Sequence, residues 1–506
     1  MQRRNFLKLA SAMAATRVVP VGFGMGAMAQ RAYAASPNYS SVTVQTPALM
    51  PQVINIFMYG GASELAGNLS NMLDINMNSM NDYSANSAFG SGILLPAEDN
   101  DPALRANGGQ ITANGLWKRA GGTHMEDMLS ASDMSIYRTL YKQKSPTRSH
   151  RESIFMSHKG TLDIEGTPGI GSRLALMMME HESSYTGALL ADGTTLGSLS
   201  DLTLPFVSFE GDSQTFALDP DNNLPLYLRG LTMDEQFNNP YTRSSNTIGD
   251  SEGAITSLLQ SRLQQINASR GRGPHSKAWD GFDKREELSQ RMEDLSDLLD
   301  ADLPEGVVYP NTSFARQLRS AVTLAIHNPQ TLYMAVGTPG LGGWDDHNNG
   351  VDEYPDRMNE LMEAVKVAMA HIKASAGVAQ TLTGNTRTRS DNIIINVFGD
   401  FGRLVNLNGS GGWDHANNQN LYTFGGAGVR PTKEAAALGS VVGSTHREGT
   451  SKTNNQYTVP DTDSPTWEPM SVASSIYGYF GATNSPILTA SAGINPEGDV
   501  RLEDLL

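Results

Sequence analysis

Two short phrases of the chain share the residue types that bind divalent metal ions. "GGWDDH" contains Asp345 and His347, and "GGWDH" contains Asp414 and His415. Carboxylate oxygens and imidazole nitrogens are ligands of zinc, manganese or iron and, with fewer imidazoles, of calcium or magnesium. A bound ion of this kind can polarise a phosphoryl-type oxygen or lower the pKa of a water molecule. The alternative is that Asp beside Gly only forms turns and that each Trp plugs its loop onto the fold.

Other candidate residues lie outside these two phrases. "GDFGR" supplies Asp400 as a further ligand and Arg403, whose planar fork suits an anionic oxygen unless it pairs with a nearby acid. His150 in "SPTRSHRES" is a candidate acid or base because an imidazole titrates near neutral pH. A second histidine, His158, lies nearby in "FMSHKG". Taken alone, each of these two histidines is typical of a surface or hydrogen-bonded histidine. Ser63 in "GGASELAG" is either a nucleophile at a strand end or a cap of the following turn.

The elements that must position these residues can be predicted from periodicity. Three apolar runs ending in glycine are typical of buried strands: "VINIFMYGG", "TLYMAVGTPG" and "NIIINVFGDFG". Helices with one apolar face are predicted over 255–266, 288–299 and 358–372. This alternation predicts an α/β fold, a mostly parallel central sheet with helices on both faces. Ligands of such sheets bind at the carboxyl ends of the strands, so the candidate residues that follow these strands are expected to converge.

Composition excludes several functions. The chain has 506 residues, with 37 basic against 53 acidic side chains, so nucleic acid and anionic membrane surfaces are not expected partners. It contains no cysteine, which excludes disulfides, thiolate metal sites and a cysteine nucleophile.

The N-terminus predicts export. "MQRRNFLKLASAMAATRVVPVGFGMGAMAQRAYA" has paired arginines, a weakly apolar stretch and a small-residue cleavage site, which together indicate a twin-arginine signal over residues 1–34. The twin-arginine translocase is therefore a predicted partner, and the mature protein is expected to be periplasmic or secreted. No later apolar run is long enough to cross a bilayer. Residues 35–506 are predicted to form a single domain with loop insertions.

These phrases, in this order after a twin-arginine leader, resemble the secreted bacterial family called domain of unknown function 1501, which belongs to the alkaline phosphatase and sulfatase superfamily. The resemblance covers essentially the whole mature chain and is most specific in its last third. It implies an alkaline-phosphatase-like fold, one or two divalent metals and transfer of a phosphoryl or sulfuryl group. The positions that match the family's phrases are Asp345, His347, Asp400, Arg403, Asp414 and His415.

The chain departs from that pattern in several places. In the phrase "GDFGR", Asp400 replaces a glutamate and Gly399 replaces a serine. Ala66 lies where the family often has an aspartate, and Phe401 follows Asp400 where the superfamily commonly has a histidine. Lys144 lies two residues before Pro146, where a sulfatase signature requires its nucleophile, so a sulfuric ester is the less favoured substrate.

The expectation is a metal-dependent hydrolase of phosphate or related esters, with zinc, manganese or calcium as the divalent ion. Five residues are predicted to bind the metal or to support residues that bind it: Asp345, His347, Asp400, Asp414 and His415. The predicted catalytic residues are Ser63, His150 and Arg403. The alternatives are a catalytically silent periplasmic or cell-surface binding or assembly protein that keeps the fold, and a carbohydrate- or polymer-binding role.

Overall fold

A computed structural model of the protein describes residues 38–69, 111–218, 223–239, 277–375, 389–404, 408–447 and 458–506, with a few isolated positions between 258 and 269. All of these belong to one compact unit, residues 34–506. The predicted export signal lies outside the described residues. The predicted helix over 255–266 is described only at isolated positions, which are helical.

The described residues form twelve β-strands. The three runs predicted as buried strands are among them, and each is buried along its whole length. In chain order the strands are β1 (Gln52–Met58), β2 (Met134–Tyr141), β3 (Phe206–Ser208), β4 (Leu231–Thr232), β5 (Tyr333–Val336), β6 (Ile393–Gly399), β7 (Gly402–Arg403), β8 (His415–Ala416), β9 (Asn418–Gly425), β10 (Val441–Val442), β11 (Thr445–Arg447) and β12 (Thr458–Pro460).

Eight of these strands form the central sheet, in the order β10-β2-β9-β6-β1-β5-β3-β4. Strand β1 lies in its middle and pairs in parallel with β5 on one side and β6 on the other. All neighbouring strands are parallel except those that pair with β9, which runs antiparallel to both β6 and β2. The predicted α/β class with a mostly parallel sheet is confirmed.

The antiparallel strand β9 follows from its connection. Parallel neighbours require a crossover of a dozen or more residues that travels back along the sheet, usually as a helix. After β6 the chain instead makes the short pair β7 and β8 at the same edge and enters β9 directly. The amino end of β9 therefore lies at the edge where β1, β5 and β6 have their carboxyl ends.

Nine α-helices accompany the sheet in the described part of the chain. The helices predicted over 288–299 and 358–372 are confirmed, each as part of a longer helix. The nine are α1 (Gly122–Ser130), α2 (His150–Lys159), α3 (Ile170–Glu180), α4 (Glu182–Tyr185), α5 (Lys277–Asp300), α6 (Ser313–His327), α7 (Gly350–Ala374), α8 (Thr432–Ala437) and α9 (Ser471–Tyr479).

The helices cover both faces of the sheet because successive strand residues point to opposite sides. From β1, Ile54 and Ile56 join a core that includes apolar residues of α1, α6 and α7. Val53 and Phe57, one position away, join a second core that includes apolar residues of α3 and α9. Within the described residues, no helix combines the length and the apolarity needed to span a membrane.

Candidate metal centre

The loops that follow β5 and β6 meet the start of helix α2 at one edge of the sheet. Asp345 and His347 come from the loop after β5, and His415 begins β8. His150 is the first residue of α2. These four side chains are called the His–Asp cluster below, and their convergence is the arrangement predicted for the carboxyl edge of a parallel sheet.

The centre of the cluster is Oδ1 of Asp345. It lies 3.3 Å from Nε2 of His150, 3.2 Å from Nε2 of His347 and 3.5 Å from Nε2 of His415. The Nε2 atoms of His347 and His415 are 2.8 Å apart. His150, Asp345 and His415 satisfy the spacing of a group that could hold a metal ion.

The opposite nitrogen of each ring is held by an acceptor. Nδ1 of His150 lies 2.7 Å from Oδ2 of Asp400, and Nδ1 of His347 lies 3.0 Å from Oδ1 of Asp414. Nδ1 of His415 lies 2.9 Å from the carbonyl oxygen of residue 148. Since these acceptors require a proton on each Nδ1, the Nε2 lone pairs of three imidazoles face one another.

Such a convergence of lone pairs and a carboxylate is unfavourable without a cation or extra protons between them. Nε2 of His150 is buried and has no hydrogen-bond partner among the described residues, because its contact with Asp345 has the distance but not the direction of a hydrogen bond. The donor set therefore fits a divalent metal. Asp400 and Asp414, predicted as ligands or as partners of ligands, lie behind two of the histidines.

Electrostatics prepare the cluster for a cation. The hydrogen bond with Asp400 raises the pKa of His150 above its ordinary value. Burial, reinforced by the charge of Arg403, lowers the pKa of His415. Burial alone would raise the pKa of Asp345, but the hydrogen bond and charge of Arg403 outweigh it and lower that pKa. At neutral pH the cluster thus contains a carboxylate and a neutral His415.

Arg403 is placed differently from its sequence-based prediction, which had it poised for an anionic oxygen of a substrate. Its side chain is fully buried and its Nη2 lies 2.5 Å from Oδ1 of Asp345. Other donors of Arg403 reach main-chain oxygens of Gly60, Gly61 and Trp413, and its Nη1 also lies 3.3 Å from Nε2 of His347. The guanidinium thus supplies one positive charge beside the cluster. Arg403 therefore forms an ion pair with Asp345 and connects three loops, as expected if it pairs with a nearby acid.

The turn after β1 is shaped to receive these groups. Gly60 donates its N–H to Asp400, 3.1 Å away, and has a φ of +118°, which favours glycine. Gly61 faces the ring of Phe401, and a Cβ atom there would lie 2.6 Å from that ring. The Phe401 ring is buried against two of the cluster's imidazoles, at centroid distances of 4.7 Å to His150 and 4.5 Å to His415.

Two other residues of the predicted motifs have structural roles. Ser63 is buried, and its Oγ accepts a hydrogen bond from the N–H of Leu65, so it caps the short helix that follows. Its assignment as a nucleophile stays a prediction. Asp346, next to Asp345, is 4% exposed and hydrogen-bonds Arg357 rather than a histidine. Burial raises the pKa of Asp346.

Some partners of the cluster have no signal in the sequence. The carbonyl of residue 148, the N–H of Gly60 and the packing of Phe401 depend on where the loops fall, and sequence reasoning missed them. His150 was predicted as an acid or base, whereas the structure places it among the potential ligands. Its sequence signal was the residue type, because an imidazole titrates near neutral pH.

A groove of about 570 Å³ opens beside the cluster. Asp345 lies in its wall, and acidic side chains of the start of α7 continue that wall. Its basic residue, Arg357, is neutralised by Asp346. The groove therefore adjoins the cluster at Asp345, and its walls are acidic.

Comparisons with known proteins give little further information. No protein-family model matches the chain, and no curated protein matches it. Among solved structures, one that is similar is the crystal structure of Ps i-CgsB in complex with k-i-k-neocarrahexaose, at 11% sequence identity and a TM-score of 0.30. That alignment covers 88% of this chain and 76% of the other. A likeness of this strength does not bear on function, which depends on the site itself.

Proposed function

We propose that the protein is an exported, metal-dependent hydrolase that acts on phosphate or related esters. We further propose that it belongs to the domain of unknown function 1501 family of the alkaline phosphatase and sulfatase superfamily. The observation that carries the proposal is the convergence of Nε2 of His150, His347 and His415 on Oδ1 of Asp345. The residue matches given in the sequence analysis support the family.

The donor set favours a transition metal. Three imidazole nitrogens and one carboxylate suit zinc or manganese, whereas calcium takes six to eight oxygen ligands. A divalent ion held here would supply Lewis-acid polarisation of an ester oxygen or a water of lowered pKa.

The protein's own residues orient and protect this chemistry. Asp400 and Asp414 fix the ring orientation of two histidines, which keeps Nε2 of each directed into the cluster. Arg403 holds the carboxylate of Asp345 and balances its charge. Phe401 excludes water from one side of the imidazoles because its ring packs directly against them.

Substrate recognition follows from the charges around the groove. Arg357 in the groove wall and Arg403 beside Asp345 are each paired with an aspartate, as is Arg119 with Asp356 of the same wall. An anionic ester group would therefore find its main positive partner in the metal itself. The acidic walls favour esters whose remaining part is neutral or cationic over esters that carry several negative charges.

A second candidate is a catalytically silent binding or assembly protein that keeps one structural ion. Two observations favour it. Arg357 and Arg403 are paired with aspartates, and the ring of Phe401 fills the space beside the imidazoles of His150 and His415. Both candidates require the metal, and only the first requires turnover.

The decisive experiment combines metal analysis with an ester screen. Protein purified from its own periplasm is analysed for bound metal and tested on aryl phosphate monoesters, phosphate diesters and sulfate esters. The proposal expects stoichiometric zinc or manganese and turnover that is lost in His415→Ala. His446→Ala is the matched control, since His446 is an exposed histidine paired with Asp461 outside the cluster. Bound metal without turnover in the wild type would favour the catalytically silent protein. A wild type with neither bound metal nor turnover would contradict the proposed metal centre.

Export through the twin-arginine translocase is part of the proposal and has its own test. Replacing Arg3 and Arg4 by lysine in the full chain is expected to leave the protein in the cytoplasm. Fractionation followed by immunoblotting measures the distribution. Unchanged export of the double variant would contradict the twin-arginine assignment while leaving the metal centre untouched.

A further inference from the structure

A second polar group lies inside the protein, on the face of the sheet that packs against α3 and α9. His158, near the end of α2, and Glu210, after β3, are both more than nine-tenths buried. Nε2 of His158 and Oε1 of Glu210 have no hydrogen-bond partner among the described residues. Buried polar atoms without partners are rare in native proteins and need an explanation.

The two side chains are too far apart to satisfy each other. Nδ1 of His158 lies 4.0 Å from Oε1 of Glu210, beyond the range of a hydrogen bond. The imidazole cannot move closer freely, because it packs against the rings of Phe57 and Tyr59 at centroid distances of 4.3 Å and 5.5 Å. The gap is therefore fixed by packing.

An ion pair between His158 and Glu210 does not form either. Burial lowers the pKa of His158 to about 3, so the ring is neutral. Burial raises the pKa of Glu210, and no basic side chain contributes to that shift. The side chains of Ser213 and Tyr59 both lower the pKa of Glu210, and Tyr59 donates a hydrogen bond to Oε2, 3.0 Å away. Oε1 has no hydrogen-bond partner among the described residues.

A small, partly enclosed cavity adjoins both side chains. The space open to the centre of a water molecule is about 10 Å³, which is close to the roughly 10–15 Å³ that one buried water needs. Ser157, Thr215 and Tyr333 add hydroxyl groups to its wall. The surface of this cavity is mainly apolar, and the Ser157, Thr215 and Tyr333 hydroxyls are bonded elsewhere. A water in this cavity would therefore find its free partners in His158 and Glu210, and larger ligands do not fit.

We propose that this cavity is a binding site for one ordered water molecule that bridges His158 and Glu210. The 4.0 Å between Nδ1 of His158 and Oε1 of Glu210 leaves room for one water between these two atoms, and this water would give Oε1 its missing donor. The bridge connects α2 to the segment after β3, and the bond from Tyr59 to Glu210 continues it to the turn that holds Arg403 and Asp400. The proposal does not depend on the metal or on turnover.

A crystal structure of the whole protein that resolves ordered water tests the site directly. The expected result is one water within about 2.6–3.2 Å of both Glu210 Oε1 and a ring nitrogen of His158. An empty cavity, a direct bond between His158 and Glu210, or density with the short multiple oxygen contacts of a metal ion would each overturn the proposal.

A pair of matched variants gives a second test. Glu210→Gln keeps an acceptor oxygen, and we expect the water to remain. Glu210→Leu removes the acceptor and fills the space, and we expect the water to be lost. In solution, nuclear Overhauser contacts between a long-lived water and the His158 ring should be present in the wild type and in Glu210→Gln. Their absence in the folded wild type would overturn the proposal even if the leucine variant did not fold.

Discussion

The two Gly-Gly-Trp-Asp loops use the same residue types for different tasks. Each buries its tryptophan against Tyr354, with centroid distances of 6.0 Å for Trp344 and 5.6 Å for Trp413. The aspartate after Trp344 lies among three histidine nitrogens, whereas the aspartate after Trp413 lies behind one of those histidines. The repeated phrase is thus a common anchor, and the loop geometry around it decides which acid reaches the cluster.

The two loops are also interlocked. The N–H of Trp413 donates to the carbonyl of Asp346, 2.7 Å away, and Asn348 forms a bridge with Gly411. Each loop therefore supports a residue of the other, and changes in one are expected to be felt in both.

The largest effect is expected where the loops differ most, at the two aspartates that follow the tryptophans. If Asp345 is a metal ligand, as proposed, Asp345→Asn should weaken metal binding by more than the roughly 10–100-fold that loss of a supporting partner causes. Asp414→Asn should stay within that range. Isothermal titration of metal-free protein with zinc or manganese measures both. Asp352→Asn, an acid of the same groove outside the cluster, is the control, and equal losses for Asp345 and Asp414 would contradict the distinction.

A smaller difference is expected between the two acids that hold histidine rings. Asp400 is fully buried, whereas the side chain of Asp414 is 56% exposed. Asp400→Asn should therefore lie near the upper end of the roughly 10–100-fold loss of metal affinity, and Asp414→Asn near the lower end. The same titration compares them. A stronger effect at Asp414 would show that burial does not govern the supporting role.

The neighbouring acids of the first loop should separate metal binding from stability. Asp346 is buried and hydrogen-bonds Arg357. Asp346→Asn is expected to lower the free energy of unfolding by about 1–3 kcal/mol, because a charged partner is lost. Metal affinity should be unchanged. Denaturant unfolding and metal titration on one preparation check both, and a loss of metal with unchanged stability would reverse the assignment of the two acids.

The smallest effect concerns pH and the metal-free protein. Asp400 raises the pKa of His150 in the folded protein. Protonation of His150 therefore stabilises the metal-free protein fully at pH values below the pKa of an unfolded histidine. This stabilisation is lost as the pH rises through the raised pKa. Metal binding requires the neutral ring, so stabilisation by metal should grow over the same interval. Tm measured against pH with and without metal should show opposite slopes, and His150→Gln should flatten the metal-free slope. Parallel slopes would contradict this account.

Much of the fold follows from local patterns. The strand runs around Ile54, Met334 and Ile395 are largely apolar on both faces, a pattern typical of the buried strands of a parallel sheet. Strand β9 was not predicted, because "NQNLYTFG" begins with amides and lacks a continuous apolar run. Its burial depends on amide hydrogen bonds, such as that from Asn420 to the main chain of Glu64, which arise only in the assembled sheet.

The convergence of the candidate residues at one edge of the sheet was predictable, but the arrangement of their side chains was not. Spacing along the chain places His347 and His415 at one edge, and the structure confirms that they meet. Spacing along the chain cannot show that Asp414 lies outside the cluster or that Arg403 forms an ion pair with Asp345. Those outcomes depend on loop conformations fixed by contacts between residues far apart in sequence.

The most direct test of the metal centre is a crystal structure of protein purified with its native metal, with anomalous scattering measured at the metal's absorption edge. The account predicts one anomalous peak bonded to Nε2 of His347 and His415. For tetrahedral zinc the separation of these two atoms should open to roughly 3.3 Å, as Zn–N bonds of about 2.0–2.1 Å require. An ion-free site in which the two Nε2 atoms stay 2.8 Å apart and share a proton would contradict the account.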